Sequence, residues 1–350
     1  MPAKRSLTLA LALLLVAAIP AQASAFPTMT IADDIQPGTG SSTPLWSAGR
    51  LGDYLYTSAD DGVTGYELWR TNGVTSTQVA NINTNSSDSS YPTGFTVLGD
   101  WLYFQADDGT HGQELWRTNG TTTALVQDIN TNGTDSSSPS GFTVLGGWLY
   151  FSATDATHGY ELWRTNGTTT ERVANINAGS SDSYPGEFEA LGNWLYFRAD
   201  DGTTGTELWR TNGTTTALVQ DINTNGTDSS SPSGFTVLGG WLYFNAVVDA
   251  TWKLWRVSAE GTVEPSSPTG TDVFFGCMCG RPILTLNGRL FAQMYTAESG
   301  FEFIYFDEPT YGLPLTNRDG SAWSTTLVIL AALTAIVGVG LRLRKGSLAK

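Results

Sequence analysis

The tripeptide Glu-Leu-Trp recurs along this chain with its Trp at positions 69, 116, 163 and 209, at spacings of 47, 47 and 46 residues. A degraded copy, Lys253-Leu254-Trp255, follows 46 residues later. A Leu-Tyr pair keeps the same period, placing Tyr56, Tyr103, Tyr150, Tyr196 and Tyr243, and Leu290-Phe291 supplies a sixth copy. Residues 114–151 and 207–244 are identical over 38 positions. A period of this length confines the chain to architectures that stack one supersecondary unit on the next.

Within a period four short apolar patches recur. In the second unit they are Phe95–Leu98, Trp101–Phe104, Glu114–Trp116 and Ala124–Ile129. Aromatic and β-branched residues alternate with small polar ones, and no 3.6-residue periodicity intervenes. Gly146-Gly147 between the first two patches is a tight-hairpin signal. Four antiparallel strands in roughly 47 residues make a unit the size of a propeller blade. Strands of the first three types count six each, whereas the fourth type begins at Thr30–Ile35, before any other, and is missing after Tyr305. The expectation is a six-bladed β-propeller over residues 26–306, its N-terminal strand closing the last blade. A β-solenoid or a stacked sandwich is the alternative.

The ends have a different character. Lys4 and Arg5, the apolar run Leu7–Ile19 and Ala23-Ser24-Ala25 have the three parts of a secretory signal, residues 1–25. Residues 323–341, from Trp323 to Leu341, are uncharged and apolar, and as a helix reach about 28 Å, one hydrocarbon core. The basic tail 342–350 follows and is expected to be cytoplasmic, so the repeats face outward, joined through a linker at 307–322. The net charge of −15 argues against nucleic acid as a partner.

Three resemblances follow from quoted residues. Ala106–Gly120 and Ala199–Gly213, reading Ala-Asp-Asp-Gly-x-x-Gly-x-Glu-Leu-Trp-Arg-Thr-Asn-Gly, resemble the ELWxxDGT repeat of exported bacterial proteins, with Asn72, Asn119, Asn166 and Asn212 where that family carries Asp. The resemblance covers residues 30–260 well and implies a propeller-like exported repeat without established catalysis. Leu313-Pro314-Leu315-Thr316-Asn317 resembles the LPxTG sorting signal, with Asn317 in place of Gly, which implies either sortase processing or a plain membrane anchor. The turn Ser58–Thr64 resembles the Asp-box of sialidases and other propellers, which implies structural roles for Asp60 and Gly62, and likewise for Asp107, Gly109, Asp200 and Gly202. Calcium at Asp60, Asp107 and Asp200 is the functional alternative, since carboxylates and loop carbonyls are hard ligands. No other cofactor is implied.

Catalysis finds little material. Glu67, Glu114, Glu161 and Glu207 occupy one repeat position, as do Arg70, Arg117, Arg164 and Arg210, so symmetry spreads them apart. A glycosidase needs two unlike carboxylates at roughly 5–10 Å. His111 and His158 also share a position. An asymmetric constellation is expected only in the sixth unit or at the Val247–Thr251 deviation. Cys277 and Cys279, one residue apart, are disulfide candidates in an oxidising exterior. Asn85, Asn119, Asn132, Asn166, Asn212 and Asn225 open Asn-x-Ser/Thr triplets that turn chemistry also explains. The repeated Trp69, Trp116, Trp163, Trp209 and Trp255 are expected to pack between blades, with stacking on sugar as the alternative. The reading is a non-catalytic cell-surface interaction or structural module with a protein or glycan ligand. A carbohydrate-binding protein is the alternative, and a secreted hydrolase a weaker one.

Overall fold

The computed structural model describes residues 47–266 apart from 86 and 87, with 34–36 and 42 before them and the backbone of strands at 284–286, 289–296 and 300–307 after them. The signal segment, most of the linker, the apolar run 323–341, the pentapeptide with Leu313, Pro314 and Thr316, and the pair Cys277 and Cys279 lie outside the described residues. Among the described residues no helix is long and apolar enough to cross a membrane.

The described chain is all-β. Five four-stranded antiparallel sheets follow one another, each in simple meander order. They comprise β1 (Ala48–Leu51), β2 (Tyr54–Asp60), β3 (Tyr66–Thr71) and β4 (Ser76–Ala80); then β5 (Thr93–Leu98), β6 (Trp101–Asp107), β7 (Gln113–Thr118) and β8 (Thr123–Gln127). The third set is β9 (Ser140–Leu145), β10 (Trp148–Ala153), β11 (Glu161–Thr165) and β12 (Thr170–Ala174), the fourth β13 (Gly186–Leu191), β14 (Trp194–Asp200), β15 (Thr206–Thr211) and β16 (Thr216–Gln220). The fifth is β17 (Ser233–Leu238), β18 (Trp241–Val248), β19 (Thr251–Ser258) and β20 (Val263–Pro265). A sixth sheet has three strands, β21 (Leu284–Leu286), β22 (Arg289–Thr296) and β23 (Gly300–Asp307). First strands pack on first strands in succession, β1 on β5, β5 on β9, β9 on β13, β13 on β17 and β17 on β21, as the inner strands of propeller blades do.

Period-two alternation explains the stacking. On β6, Leu102, Phe104 and Ala106 project toward the first blade and pack with Tyr56 and Leu68. The intervening Tyr103 projects to the other face and packs with Leu149, Phe151 and Ala153 of the third blade. Thus one strand, reading Leu-Tyr-Phe-x-Ala, furnishes both interfaces of its blade. The core therefore lies between sheets, and a single blade has no interior of its own. Trp116, Trp163, Trp209 and Trp255 pack at the edges of these clusters while remaining partly exposed. Trp69 is also partly exposed.

The N-terminal segment differs from expectation in part. Asp34 is without regular structure, and Ile35 and Gln36 form a bend, so the end of the expected strand Thr30–Ile35 is not ladder; residues 30–33 lie outside the described residues. Yet this segment occupies a repeat position. The backbone N–H of Asp60 donates to Ser42 O at 3.3 Å, as that of Asp107 donates to Ser90 O and that of Asp200 to Ser183 O. A Cβ at Gly62 would collide with the Gln36 amide, just as one at Gly109 would collide with the amides of Asn83 and Asn85. Ile35-Gln36 thus stands before the first blade where Ile82-Asn83 stands before the second.

Candidate functional site

The expected turn sites take shape around two adjacent carboxylates, with the second of each pair carrying more. Asp60, Asp107 and Asp200 each accept one hydrogen bond, from the N–H of Gly62, Gly109 and Gly202 respectively, all at 2.7 Å. Asp108 instead accepts from the N–H and hydroxyl of Thr110, the N–H of His111 and the His111 ring at Nδ1, the last at 2.8 Å. Asp61, Asp155 and Asp201 close the same turn in their blades. The third unit, which has Thr154 at the first position, keeps the second as Asp155. The carboxylate at 61, 108, 155 and 201 therefore carries more of the turn, while Asp60, Asp107 and Asp200 each hold the N–H of a glycine at positive φ. Burial by itself would raise the Asp108 carboxyl, but the His111 bond and the turn N–H groups outweigh it and bring it down to about 2. The same bond raises His111. Among the described residues no three His, Cys, Asp or Glu side chains converge to hold a metal ion.

The repeated glutamates are buried and fully engaged. Glu114 is inaccessible to solvent. Its carboxylate accepts from Ile129 N–H at 2.9 Å, Asn130 N–H at 3.4 Å, Ser137 N–H at 2.9 Å and the Ser137 hydroxyl at 2.5 Å. Glu67 and Glu207 repeat the arrangement with Ser90 and Ser230, and Glu161 shares the hydroxyl bond through Ser183. Each glutamate so ties the chain leaving the outer strand to the loop entering the next blade. Burial pushes all four carboxyls above their ordinary value of 4.5, with the donated bonds opposing it.

The arginines are engaged as well. The Arg117 guanidinium lies 4.3 Å from the Trp101 ring centre and donates from NH1 to Gly167 O of the next blade at 2.8 Å. Arg70 bonds Gly120 O and Arg210 bonds Glu260 O in the same way, always 50 residues ahead. No arginine cluster forms among them.

The asymmetry lies elsewhere, on the inner strands. An open cavity of about 470 Å³ is lined by Ser47, Gly94, Phe95, Thr96, Gly141, Phe142, Thr143, Glu187 and Phe188, near the start of four first strands. Gly94 and Gly141 have φ of +74° and +72°, and a Cβ on either would lie 2.7 Å from the ring of Phe142 or Phe188 in the following blade. Gly234 repeats the position at φ +68°. The fourth blade has Glu187 there, at φ +57°, a conformation that costs an L side chain roughly 1–2 kcal/mol. Its Oε2 accepts from Gly234 N–H at 3.1 Å. Phe235, which follows, stands edge-on to Phe244 at 69°, whereas Phe95, Phe142 and Phe188 tilt by 37°, 49° and 36° against their partners.

Two positions on, Glu189 replaces the Thr of Thr96 and Thr143. It is half-buried, forms no hydrogen bond or ion pair among the described residues, and is pushed above 4.5 by burial. Val247–Thr251, one of the two places left for the asymmetric constellation a hydrolase would need, is a tight hairpin, with Asp249 and Ala250 at φ +51° and +60° joining β18 to β19. Aligning Gly186-Glu-Phe-Glu-Ala-Leu191 with Ser140-Gly-Phe-Thr-Val-Leu145 would have exposed the cavity substitutions in the sequence.

No family model matches this chain, and no curated protein matches it. Among solved structures, virginiamycin B lyase from Staphylococcus aureus aligns at 16% identity over 75% of this chain and 84% of its own, with a TM-score of 0.45. The β-propeller domain of the Trilobed protease from Pyrococcus furiosus, described as having an open velcro topology, aligns at 10% identity over 75% of this chain and 82% of its own, with a TM-score of 0.43. A putative TolB from Agrobacterium tumefaciens aligns at 13% identity over 63% and 79%, with a TM-score of 0.36.

Proposed function

We propose that this chain is an exported, C-terminally anchored member of the ELWxxDGT-type repeat proteins that acts as a non-catalytic interaction module at the cell surface. One observation carries the reading. The acidic and basic side chains that recur through the first four blades are spent on the fold: Glu114 and its equivalents in the loop cage, Arg117 with Arg70 and Arg210 on the next blade, Asp108 and its equivalents in the turn. What the blades offer outward is a repeated set of turns, suited to binding rather than to a reaction. The ring has six blades in this proposal, with the strand before Asp34 completing the three-stranded sheet β21–β23. The places taken by Gln36 and Ser42 support that closure.

A carbohydrate ligand is the second reading, favoured by exposed aromatics that are not the repeated tryptophans. Tyr91 and Tyr184 stand 47% and 61% exposed, each stacked on a partner, Tyr66 or Tyr160, at 5.6 Å. Such faces suit a sugar ring. The test is binding of the detergent-solubilised full chain to a glycan array and to surface extracts, with Ca²⁺ and with chelator. Saturable binding supports the module, and loss on chelation brings calcium to the aspartate turns. Glycan binding lost in Tyr184→Ala supports the sugar reading. Turnover of a glycan would overturn the non-catalytic proposal.

A further inference from the structure

We infer that the cavity at the inner strands is a binding site for a small organic cation, a primary ammonium or guanidinium group, with Glu187 as its counter-ion. The inference rests on the reading of the chain as a binding module and adds the ligand class. Among the described residues Glu187 is the only charged side chain lining the cavity, and one of its oxygens, Oε2, is engaged by Gly234 N–H. The other lining residues are uncharged: Phe95, Phe142 and Phe188, whose side chains also pack against the inter-blade clusters, the hydroxyl-bearing Ser47, Thr96 and Thr143, and Gly94 and Gly141. A single carboxylate among uncharged lining residues favours a cation over a neutral or anionic group of the same shape.

The carboxylate sits where three other blades carry glycine, at a backbone angle glycine adopts freely and glutamate does not. The Oε2 bond to Gly234 N–H is matched in the first blade by Ser47, whose Oγ accepts from Gly94 N–H at 3.1 Å, so that contact does not require the length and charge of a glutamate. Glu189, on the same strand and without a cationic partner among the described residues, adds to the negative potential of that blade. The net charge of −15 draws cations toward the molecule as a whole.

The experiment is calorimetric titration of the full chain at low ionic strength with n-butylammonium chloride, set against 1-butanol and sodium butyrate as neutral and anionic isosteres. Butylammonium is expected to bind saturably, with the two isosteres weaker by about tenfold or more. Glu187→Gln, which keeps the side-chain volume, is expected to weaken butylammonium binding by about tenfold. Glu187→Gly restores the residue of the other blades; it is expected to melt no lower than the wild type and to lose butylammonium binding. The inference is overturned by absence of saturable butylammonium binding, by equal binding of butanol, or by either variant binding as the wild type does. A partner retained equally by the wild type and Glu187→Gly, with no butylammonium binding, overturns the cation-site inference alone and leaves the module reading standing.

Discussion

Replacing Glu114 by Ala removes the acceptor from the cage that joins the second blade to the third. The side chain is inaccessible, and its donors include the backbone N–H groups of Ile129 and Ser137, both at 2.9 Å. The Ser137 hydroxyl retains the Gln113 carbonyl at 3.4 Å, so two short backbone donors are the groups stranded away from water. Each costs about 1–3 kcal/mol, giving a loss of about 2–6 kcal/mol. For a unit of this size that is a drop in melting temperature of roughly 5–20 °C. Glu114→Gln keeps the shape but offers one acceptor oxygen for two donor pairs; with its amide turned to the serine hydroxyl it strands one N–H and costs about 1–3 kcal/mol. Lys253 occupies the equivalent register in the fifth blade, opposite Ala246 as Glu114 is opposite Ala106, with no carboxylate to form such a cage. Lys253→Ala is the control and is expected to change stability by less than about 1 kcal/mol. Thermal melts followed by circular dichroism rank the three. The argument fails if Glu114→Ala melts with the wild type, or if the lysine control falls as far.

Asp108→Ala is expected to lower the melting temperature more than Asp107→Ala, because the first loses four hydrogen bonds of the turn and the second loses one; the reverse order would contradict the assignment of the anchoring carboxylate. The pH dependence has two limbs. The turn carboxyls lie below their ordinary 3.8, Asp108 at about 2, so their contribution is present above 3.8 and lost as pH falls toward about 2; Asp108→Asn should flatten that acid limb in melts taken across it. The caged glutamates lie above 4.5, so the folded state holds their protons more tightly than the unfolded chain, and their contribution declines as pH rises from 4.5 through the folded values; Glu114→Gln should shrink that decline. The indole N–H groups of Trp69, Trp163, Trp209 and Trp255 are buried without a partner among the described residues, and a high-resolution crystal structure is expected to show an ordered water at each; four dry sites would refute this.

The strand pattern was legible because the repeat writes it several times and because period two is read directly from Leu-Tyr-Phe-x-Ala. Expected Trp101–Phe104 and Ala124–Ile129 correspond to β6 and β8 with shifts of a few residues at their ends. The Gly146-Gly147 hairpin sits between β9 and β10 with both φ positive. The symmetric placement of glutamate and arginine was legible too, but not their occupation. Which N–H a carboxylate meets depends on a loop returning from 15 to 23 residues away, as Ile129 and Ser137 return to Glu114. The choice between Asp107 and Asp108 was lost for a related reason: both stand just before Gly109, and only the fold of the turn says which oxygen faces two successive backbone donors, Thr110 and His111. Glu187 went unnoticed because attention to apolar anchors passes over a position whose usual occupant is glycine. Tyr91 and Tyr184 are exposed by their left-handed backbone before Pro92 and Pro185, a conformation the residues alone do not announce.

The 38 identical residues, 114–151 and 207–244, begin on the third strand of one blade and end on the second strand of the next. What has been copied is therefore a seam rather than a sheet: the glutamate cage, its serine, the arginine and the Leu-Tyr-Phe face of the blade that follows. The two copies start 93 positions apart. An in-frame exchange between them would remove or insert two blades' worth of chain, and every junction on either side would find its own complement. Length in such a molecule is free to vary in steps of whole blades, limited only by whether the ends still meet.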